Sequence, residues 1–494
     1  MPHTNRRRFL QAVGISLTAA GGFQTGFLFP LRKLAAADAN GAQSGDIEKI
    51  EYRGRLIEEC TLPGETRADG VVPRHANALQ ASRNRWLVVY STHAYRGVDD
   101  ERSIVYQLRA DAPDGPLLKE GFLMQGREDW SPGNFDKSGL PPGTTIFKQH
   151  GHMVPFGMPK GAKVNGQTPP HAGLFVVKWR VSGRILNREK NEMEHRQAAA
   201  NGAPIGQGVE WVQFRLNDAE DDIVVVQSAR LLRQAGFEEG PKFTSAADVA
   251  WMNQSYVPAV PFNADASEWA DVNHFDNFCL APMKYRFNTK RGVYEWVEIG
   301  PRIEHGPSKM IEAGLLRLGD EWWISARRTG GPGVAWFHTK NPFAEVTSPL
   351  APLLPKEPRS TAPLAAFTCA DGVPRLFTGD RFVSPNNNAR DPIYMWDIDI
   401  ANGCEGKNRQ VIFDSVAAGL PIRKEVVPKI DFCELFPHLG RTQLIAFGAS
   451  TRAYNFPYNN RNDIPPINDT EKGAAGVYYA RITYRHDPAP RWQF

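Results

Sequence analysis

The sequence has no closely spaced cysteine pair and no large excess of charge of either sign. Its five cysteines lie far apart and form no CxxC pair, which argues against a zinc or redox motif of that kind. The 494 residues contain 58 Lys and Arg against 54 Asp and Glu, a formal net charge of +4. No block of Lys and Arg occurs beyond the N-terminus, so nucleic acid is a poor candidate for a partner.

Long helical periodicity is also scarce. The best helix candidate, residues 187–200, is interpreted as a surface excursion. The 44 Gly, 38 Pro and 12 Trp instead indicate short strands joined by frequent loops. β-Branched or aromatic runs bounded by turns occur at residues 86–90, 173–179, 210–214, 223–226, 294–297, 321–325 and 442–447. This pattern predicts an all-β protein, with a propeller or a pair of β-sandwiches as the alternatives.

The N-terminus has the layout of a twin-arginine export signal. Arg6, Arg7 and Arg8 precede a moderately apolar run, rich in Gly and Ala, that ends in the small residues 35–37. The glycines in the run make it weak as a permanent membrane anchor, which is the alternative interpretation. We therefore expect a signal at residues 1–37, cleavage near Ala37, and a periplasmic or secreted protein.

A first motif covers residues 73–115. It begins with Arg74 and His75 and passes through the strand at residues 86–90. It then reaches a loop with five charged side chains in seven positions, Arg96, Asp99, Asp100, Glu101 and Arg102. A turn at residues 111–115 closes it. This unit resembles the first blade of the sialidase (neuraminidase) superfamily, where an arginine opens the blade, a loop carries the acid/base aspartate, and a degenerate Asp-box turn follows.

A second unit strengthens the resemblance. Glu312 precedes a strand and Arg327 ends the next one, 15 residues later (327 − 312). A glutamate and an arginine are similarly spaced in one sialidase blade. Arg328 is the alternative to Arg327, but strand alternation sends these neighbours to opposite faces, so only one of them can face a central axis.

A third unit, residues 371–396, looks like the blade that supplies the last of the three substrate arginines of sialidases. The arginine in this position is Arg390. Arg74, Arg327 and Arg390 thus resemble the family's arginine triad in order and approximate spacing. Three guanidinium groups on one axis make a clamp for a carboxylate, because each presents a fixed fork of donors.

The resemblance implies a six-bladed β-propeller of the sialidase type over residues 51–494, after a tether at residues 38–50. It implies that Asp99 or Asp100 is the general acid, and that Glu312, with Asp431 as its partner, stabilises or attacks the oxocarbenium-like centre. The substrate-binding residues would be Arg74, His75, Arg96, Arg327 and Arg390. The alternative for the acidic loop is a turn stabilised by its Asp side chains, with ion pairs to Arg96 and Arg102.

The sequence departs from the family at the nucleophile. Sialidases use a tyrosine, and the corresponding residues 427–435 contain none. Asp431 or Lys429 would occupy that place, or Tyr454 would reach in from a later loop.

Two further histidines raise a separate possibility. His150 and His152 share one face if their segment is an extended strand. They could bind a metal or abstract a proton in a polysaccharide lyase, or they could be ordinary loop histidines. A His-x-His pair without a carboxylate at fixed spacing is a weak metal signal, so no metal and no cofactor are expected.

The sequence therefore predicts an exported, sialidase-like glycoside hydrolase that removes terminal acidic sugars from glycans. A glycan is the expected partner, and no membrane span is expected once the signal is cleaved. The alternatives are a non-catalytic glycan-binding propeller and a lyase that depends on His150 or His152.

Overall fold

The computed structural model describes most of the chain beyond residue 45. The described ranges are residues 46–94, 101–124, 144–170, 173–185, 206–233, 259–274, 280–303, 309–329, 333–344, 352–359, 363–385, 390–420, 429–435, 439–450 and 473–487. The helix predicted at residues 187–200 and the export signal predicted at residues 1–37 lie outside them.

Antiparallel sheets account for almost all regular structure in these ranges. Blade I contains β2 (Val71–Ser82), β3 (Arg85–Ala94), β4 (Glu101–Ala110) and β5 (Leu117–Met124). Blade II contains β6 (Thr144–Gly157), β7 (Gly173–Ile185), β8 (Gly206–Leu216) and β9 (Ile223–Arg233). Blade III contains β10 (Val260–Pro261), β11 (Glu268–His274), β12 (Leu280–Asn288) and β13 (Val293–Ile299).

The second half of the chain repeats this plan. Sheet IV contains β14 (Lys309–Leu318), β15 (Glu321–Thr329) and β16 (Val334–Thr339). Blade V contains β17 (Leu364–Thr368), β18 (Pro374–Gly379), β19 (Ile393–Asp399) and β20 (Glu405–Phe413). Blade VI contains β21 (Lys429–Leu435), β22 (Thr442–Ser450), β23 (Gly476–Tyr484) and, from the start of the chain, β1 (Ile47–Ile57).

The all-β propeller predicted from the sequence is confirmed, but not as six equal blades. In the described part of the chain, five sheets are four-stranded blades and sheet IV has three strands. One antiparallel bridge between Trp336 and Leu353 continues sheet IV beyond β16. All seven strand runs expected from the sequence fall inside strands of the structure. The run at residues 86–90 is buried throughout, as expected of a strand covered on both faces.

The last blade joins the two ends of the chain. β1 pairs with β23, so blade VI is completed by the N-terminal strand. This strand begins at Ile47, inside the segment that the sequence suggested as a tether.

A salt bridge adds to this closure. Arg481 of β23 donates to Asp114 of blade I at 2.6 Å, and the Tyr479 hydroxyl donates to the same carboxylate at 3.1 Å. Asp114 belongs to the turn that resembles an Asp-box. That turn requires a glycine at residue 115, because a Cβ there would lie 1.9 Å from the Ala110 carbonyl oxygen.

Neighbouring sheets contact one another around the centre through their first strands or, in blade III, through the second strand, β11. β2 packs against β6 and β21, β14 packs against β11 and β17, and β17 packs against β21. Successive strands within a sheet are antiparallel, so the start of a first strand and the end of the second lie at the same end of the sheet. We call the end where β2, β14 and β21 begin and β3, β15 and β22 end the site end.

Within the described ranges, no helix has the length and apolar character needed to cross a bilayer.

Candidate functional site

Three first strands carry the same irregularity near the site end. In β2, β14 and β21, two residues on the first strand stand opposite one residue of the second, which defines a β-bulge. The bulged pairs are residues 75–76, 312–313 and 431–432, and the residues opposite them are Tyr90, Ala326 and Gly448. His75, Glu312 and Asp431 are therefore equivalent residues of three different sheets.

Two of these bulges place a side chain on an unfavourable backbone. His75 has φ +47° and Glu312 has φ +55°. Residues other than glycine pay about 1–3 kcal/mol for such conformations, which persist where the surrounding structure imposes them and which cluster at functional sites. The Asn, Asp or Gly that would relax the strain is absent from both positions.

Glu312 forms an ion pair with Arg327, the residue at the end of β15. Nη1 of Arg327 donates to both carboxylate oxygens, at 2.9 Å and 3.0 Å. The side chains are 18% and 9% exposed for Arg327 and Glu312, so water screens the pair only weakly. One nitrogen bridges both oxygens, and Nε of Arg327 has no hydrogen-bond partner among the described residues.

Arg74 approaches the bulge of the neighbouring blade. The residue is 3% exposed, and β2 packs against β21 and β22. A Cβ on Gly448 would lie 3.5 Å from Cγ of Arg74. Gly448 is the residue that faces the 431–432 bulge, so the structure brings Arg74 beside the backbone on which Asp431 lies.

Arg390 lies in the connection between β18 and β19, which is also at the site end. Its neighbour Asp391 is fully buried and accepts hydrogen bonds from the Ser415 amide at 3.0 Å and the Ser415 hydroxyl at 2.5 Å. These bonds hold the backbone at Arg390 against blade V. The three predicted arginines thus come from blade I, sheet IV and blade V.

Several predicted residues cannot be placed. Arg96, Asp99 and Asp100 lie outside the described residues, and so does Tyr454. For Asp431, His150 and His152 the structure describes the strand backbone only. The acidic loop, the partner of Glu312 and the histidine pair therefore stay predictions.

Tyr90 is a tyrosine near the site end that the chemistry does not favour as a nucleophile. It faces the bulge in β2 but is fully buried, and its hydroxyl donates to Glu120 at 2.6 Å. Burial, and then the neighbouring Cys60 and Glu120, raise the pKa of Tyr90 well above its usual range. A phenol in this state stays neutral and does not attack.

Sequence reasoning missed a set of buried polar residues in blade I. Glu65 is 2% exposed, and it accepts hydrogen bonds from the hydroxyls of Thr92 and Ser103, each at 2.6 Å. Ser91 and His93 are also buried, and they lie on either side of Thr92. The available signal was the sequence Ser91-Thr92-His93 directly after a buried apolar run, where polar groups need partners.

No cluster of three or more potential metal ligands occurs among the residues that the structure describes.

The chain is similar in fold to several solved structures. No protein-family model and no curated protein sequence matches it. The NanB sialidase of Streptococcus pneumoniae matches with a TM-score of 0.50 and 9% identity, over 88% of this chain and 71% of that chain. At this identity the likeness shows the fold alone, a sialidase-type propeller.

Two other matches extend across most of this chain. A protein of unknown function from Dyadobacter fermentans matches with a TM-score of 0.49 and 8% identity, over 89% of this chain and 100% of that chain. A Trypanosoma rangeli sialidase matches with a TM-score of 0.44 and 8% identity, over 84% of this chain and 55% of that chain. The match spans about half of the T. rangeli sialidase.

Proposed function

We propose that the protein is an exported, sialidase-like glycoside hydrolase that acts on terminal acidic sugars of glycans. The observation that carries the proposal is the ion pair between partly buried Arg327 and buried Glu312, which lies on a strained bulge at the site end. A buried carboxylate held against a guanidinium is suited to the charge changes of glycosidic bond cleavage. The sialidase-type propeller fold supports the proposal, because a propeller arranges its sheets around one centre.

In this proposal each predicted residue has a role. Arg74, Arg327 and Arg390 bind the sugar carboxylate, assisted by Arg96 and His75. Asp99 or Asp100 protonates the leaving oxygen. Glu312 and Asp431 stabilise or attack the oxocarbenium-like centre, and the position of Asp431 on the bulge equivalent to that of Glu312 supports their joint action. The N-terminal arginines and the Gly- and Ala-rich run support export by the twin-arginine route.

A direct assay tests the proposal. The purified protein is incubated with sialyllactose and with a glucuronide, and released monosaccharide is measured by mass spectrometry. Release of the acidic sugar supports the hydrolase. An unsaturated uronic product that absorbs in the near ultraviolet would instead identify a lyase.

A non-catalytic glycan-binding propeller is the second candidate. Strand β21 has the sequence KIDFCEL, with no tyrosine where sialidases have their nucleophile. Binding on a glycan array without product release would favour this candidate. Neither binding nor release from any acidic glycan would contradict both.

A further inference from the structure

The bulge in β2 rests on a chain of hydrogen bonds that begins at a histidine. Ser91, directly opposite Arg74 in the register, donates its hydroxyl proton to the Arg74 carbonyl oxygen at 3.2 Å. Nε2 of His93 lies 3.0 Å from the same Ser91 oxygen. All three residues are buried, with 3%, 0% and 1% exposure for Arg74, Ser91 and His93.

The chemistry of the serine assigns the proton on His93. A hydroxyl has one proton, and here that proton goes to the carbonyl of Arg74, so the Ser91 oxygen accepts from His93. His93 therefore carries hydrogen on Nε2. The chain runs from His93 Nε2–H to Ser91 Oγ–H to the carbonyl that immediately precedes the strained residue His75.

The two imidazoles also touch each other. The ring centroids of His75 and His93 are 5.3 Å apart and the rings are tilted by 53°. His93 thus restrains the bulge in two ways, through Ser91 at the Arg74 carbonyl and through its ring at the His75 side chain.

A comparison with sheet IV indicates what such a restraint does. In β14 the residue opposite Ile311, at the start of the bulge, is Arg327, and its side chain donates directly to the Glu312 carboxylate. In β2 the equivalent position is Ser91, which is too short to grip a side chain and instead holds the backbone. The arrangement in β2 needs a further group to orient the Ser91 hydroxyl, and His93 is that group.

We propose that His93, acting through Ser91, is a positioning residue that fixes the Arg74–His75 bulge and so sets the direction of the Arg74 side chain toward the sugar carboxylate. The role in sugar binding rests on the proposed function. The restraint of the bulge does not, and it can be measured without any ligand.

The first measurement is amide hydrogen exchange in residues 72–79 of the full chain, for wild type and four variants. Ser91→Ala and His93→Leu interrupt the series of hydrogen bonds from His93 to the Arg74 carbonyl, and we expect exchange of these amides to become at least tenfold faster. His93→Gln keeps an N–H donor at a similar reach, and we expect exchange within threefold of wild type. Ser103→Ala removes another buried hydroxyl of blade I that is not part of this series of hydrogen bonds, and it should leave the exchange rates of residues 72–79 unchanged.

The second measurement is the affinity for N-acetylneuraminic acid by calorimetry, with melting temperature recorded for each protein. Ser91→Ala and His93→Leu should bind at least tenfold more weakly, and His93→Gln should restore binding. Unchanged exchange in Ser91→Ala and His93→Leu overturns the restraint. Faster exchange with unchanged affinity overturns the role in binding. If wild type does not bind sialic acid, the proposed glycan function fails, while the exchange data still decide whether His93 holds the bulge.

Discussion

Nη1 of Arg327 bridges the two carboxylate oxygens of Glu312, at 2.9 Å and 3.0 Å, although Glu312 sits on a backbone with φ +55°. The strand pairing explains the geometry. The extra residue of the bulge turns Glu312 toward the end of β15, where Arg327 stands opposite Ile311. The ion pair and the bulge therefore depend on each other.

Removal of the guanidinium should separate binding from folding. In Arg327→Ala the buried Glu312 carboxylate loses this ion pair, and we expect a loss of about 3 kcal/mol in unfolding free energy. The chain still folds, but turnover of acidic glycans should disappear because the carboxylate clamp is incomplete. Urea unfolding and the release assay measure the two effects.

Arg328→Ala is the matched control for that experiment. Arg328 is the next residue of β15 and is directed to the opposite face. We expect it to retain most of the activity. Unchanged activity in Arg327→Ala would rule out the clamp.

The strain at Glu312 predicts an inverted order of stability. Glu312→Gly and Glu312→Ala both lose the ion pair, so the difference between their free energies of unfolding measures the cost of the backbone conformation at residue 312. A left-handed φ costs an L-residue about 1–2 kcal/mol. We therefore expect the free energy of unfolding, measured in urea, to be about 1 kcal/mol higher for Glu312→Gly than for Glu312→Ala.

Ala313→Gly provides the comparison at the next residue, which does not have a positive φ. There the usual order applies, and Gly should be less stable than the native Ala by about 0.5–1 kcal/mol. A Glu312→Gly variant less stable than Glu312→Ala would contradict the left-handed bulge.

Gly448 should tolerate one methyl group and no more. A Cβ at this position would make an ordinary contact of 3.5 Å with Arg74, so Gly448→Ala should fold and bind like wild type. The two methyl groups of Gly448→Val overpack the contact and displace Arg74, with an expected loss of about 1–3 kcal/mol in stability. If calorimetry shows weakened sialic acid binding in Gly448→Val but not in Gly448→Ala, the result would support the position of Arg74. Equal binding in both variants would count against it.

The Cys60 thiol should make stability fall in alkali. Cys60 is fully buried, and burial raises the pKa of the thiol to about 11 from its ordinary 9.0. A raised pKa means that the unfolded chain loses its proton first. The stabilisation is then fully present below pH 9 and is lost as the pH rises to about 11.

The measurement is urea unfolding of wild type and Cys60→Ala across that range. We expect a shallower decline in the variant, by about 1–2 kcal/mol in total. Burial raises the pKa of Cys404 to about 12, so the stabilisation by this thiol also begins to fall near pH 9 but continues to fall to about pH 12, and Cys404→Ala should differ from wild type over this wider range. Parallel curves for wild type and Cys60→Ala would exclude a buried neutral thiol.

Much of the architecture was accessible from local sequence. Runs such as residues 86–90 and 442–447 alternate with turn-forming residues, and that local pattern predicts strands because side-chain direction and turn chemistry are set by near neighbours. The order of the three arginines and the spacing of Glu312 and Arg327 predicted a propeller and a candidate pair only through their resemblance to the sialidase superfamily. The number of strands in sheet IV was not predictable, since hydrogen bonding to an outer strand depends on residues distant along the chain.

The sequence by itself determined which segments form strands and which polar residues stand near their ends. Only the tertiary structure decided that His75, Glu312 and Asp431 occupy equivalent bulges, that Arg74 lies beside Gly448, and that His93 reaches Ser91. A bulge shifts the register of two paired strands, and the approach of β2 to β22 requires the ring of sheets to close. Both are properties of partners far apart in the chain, so the periodicity of a single segment contains no record of them.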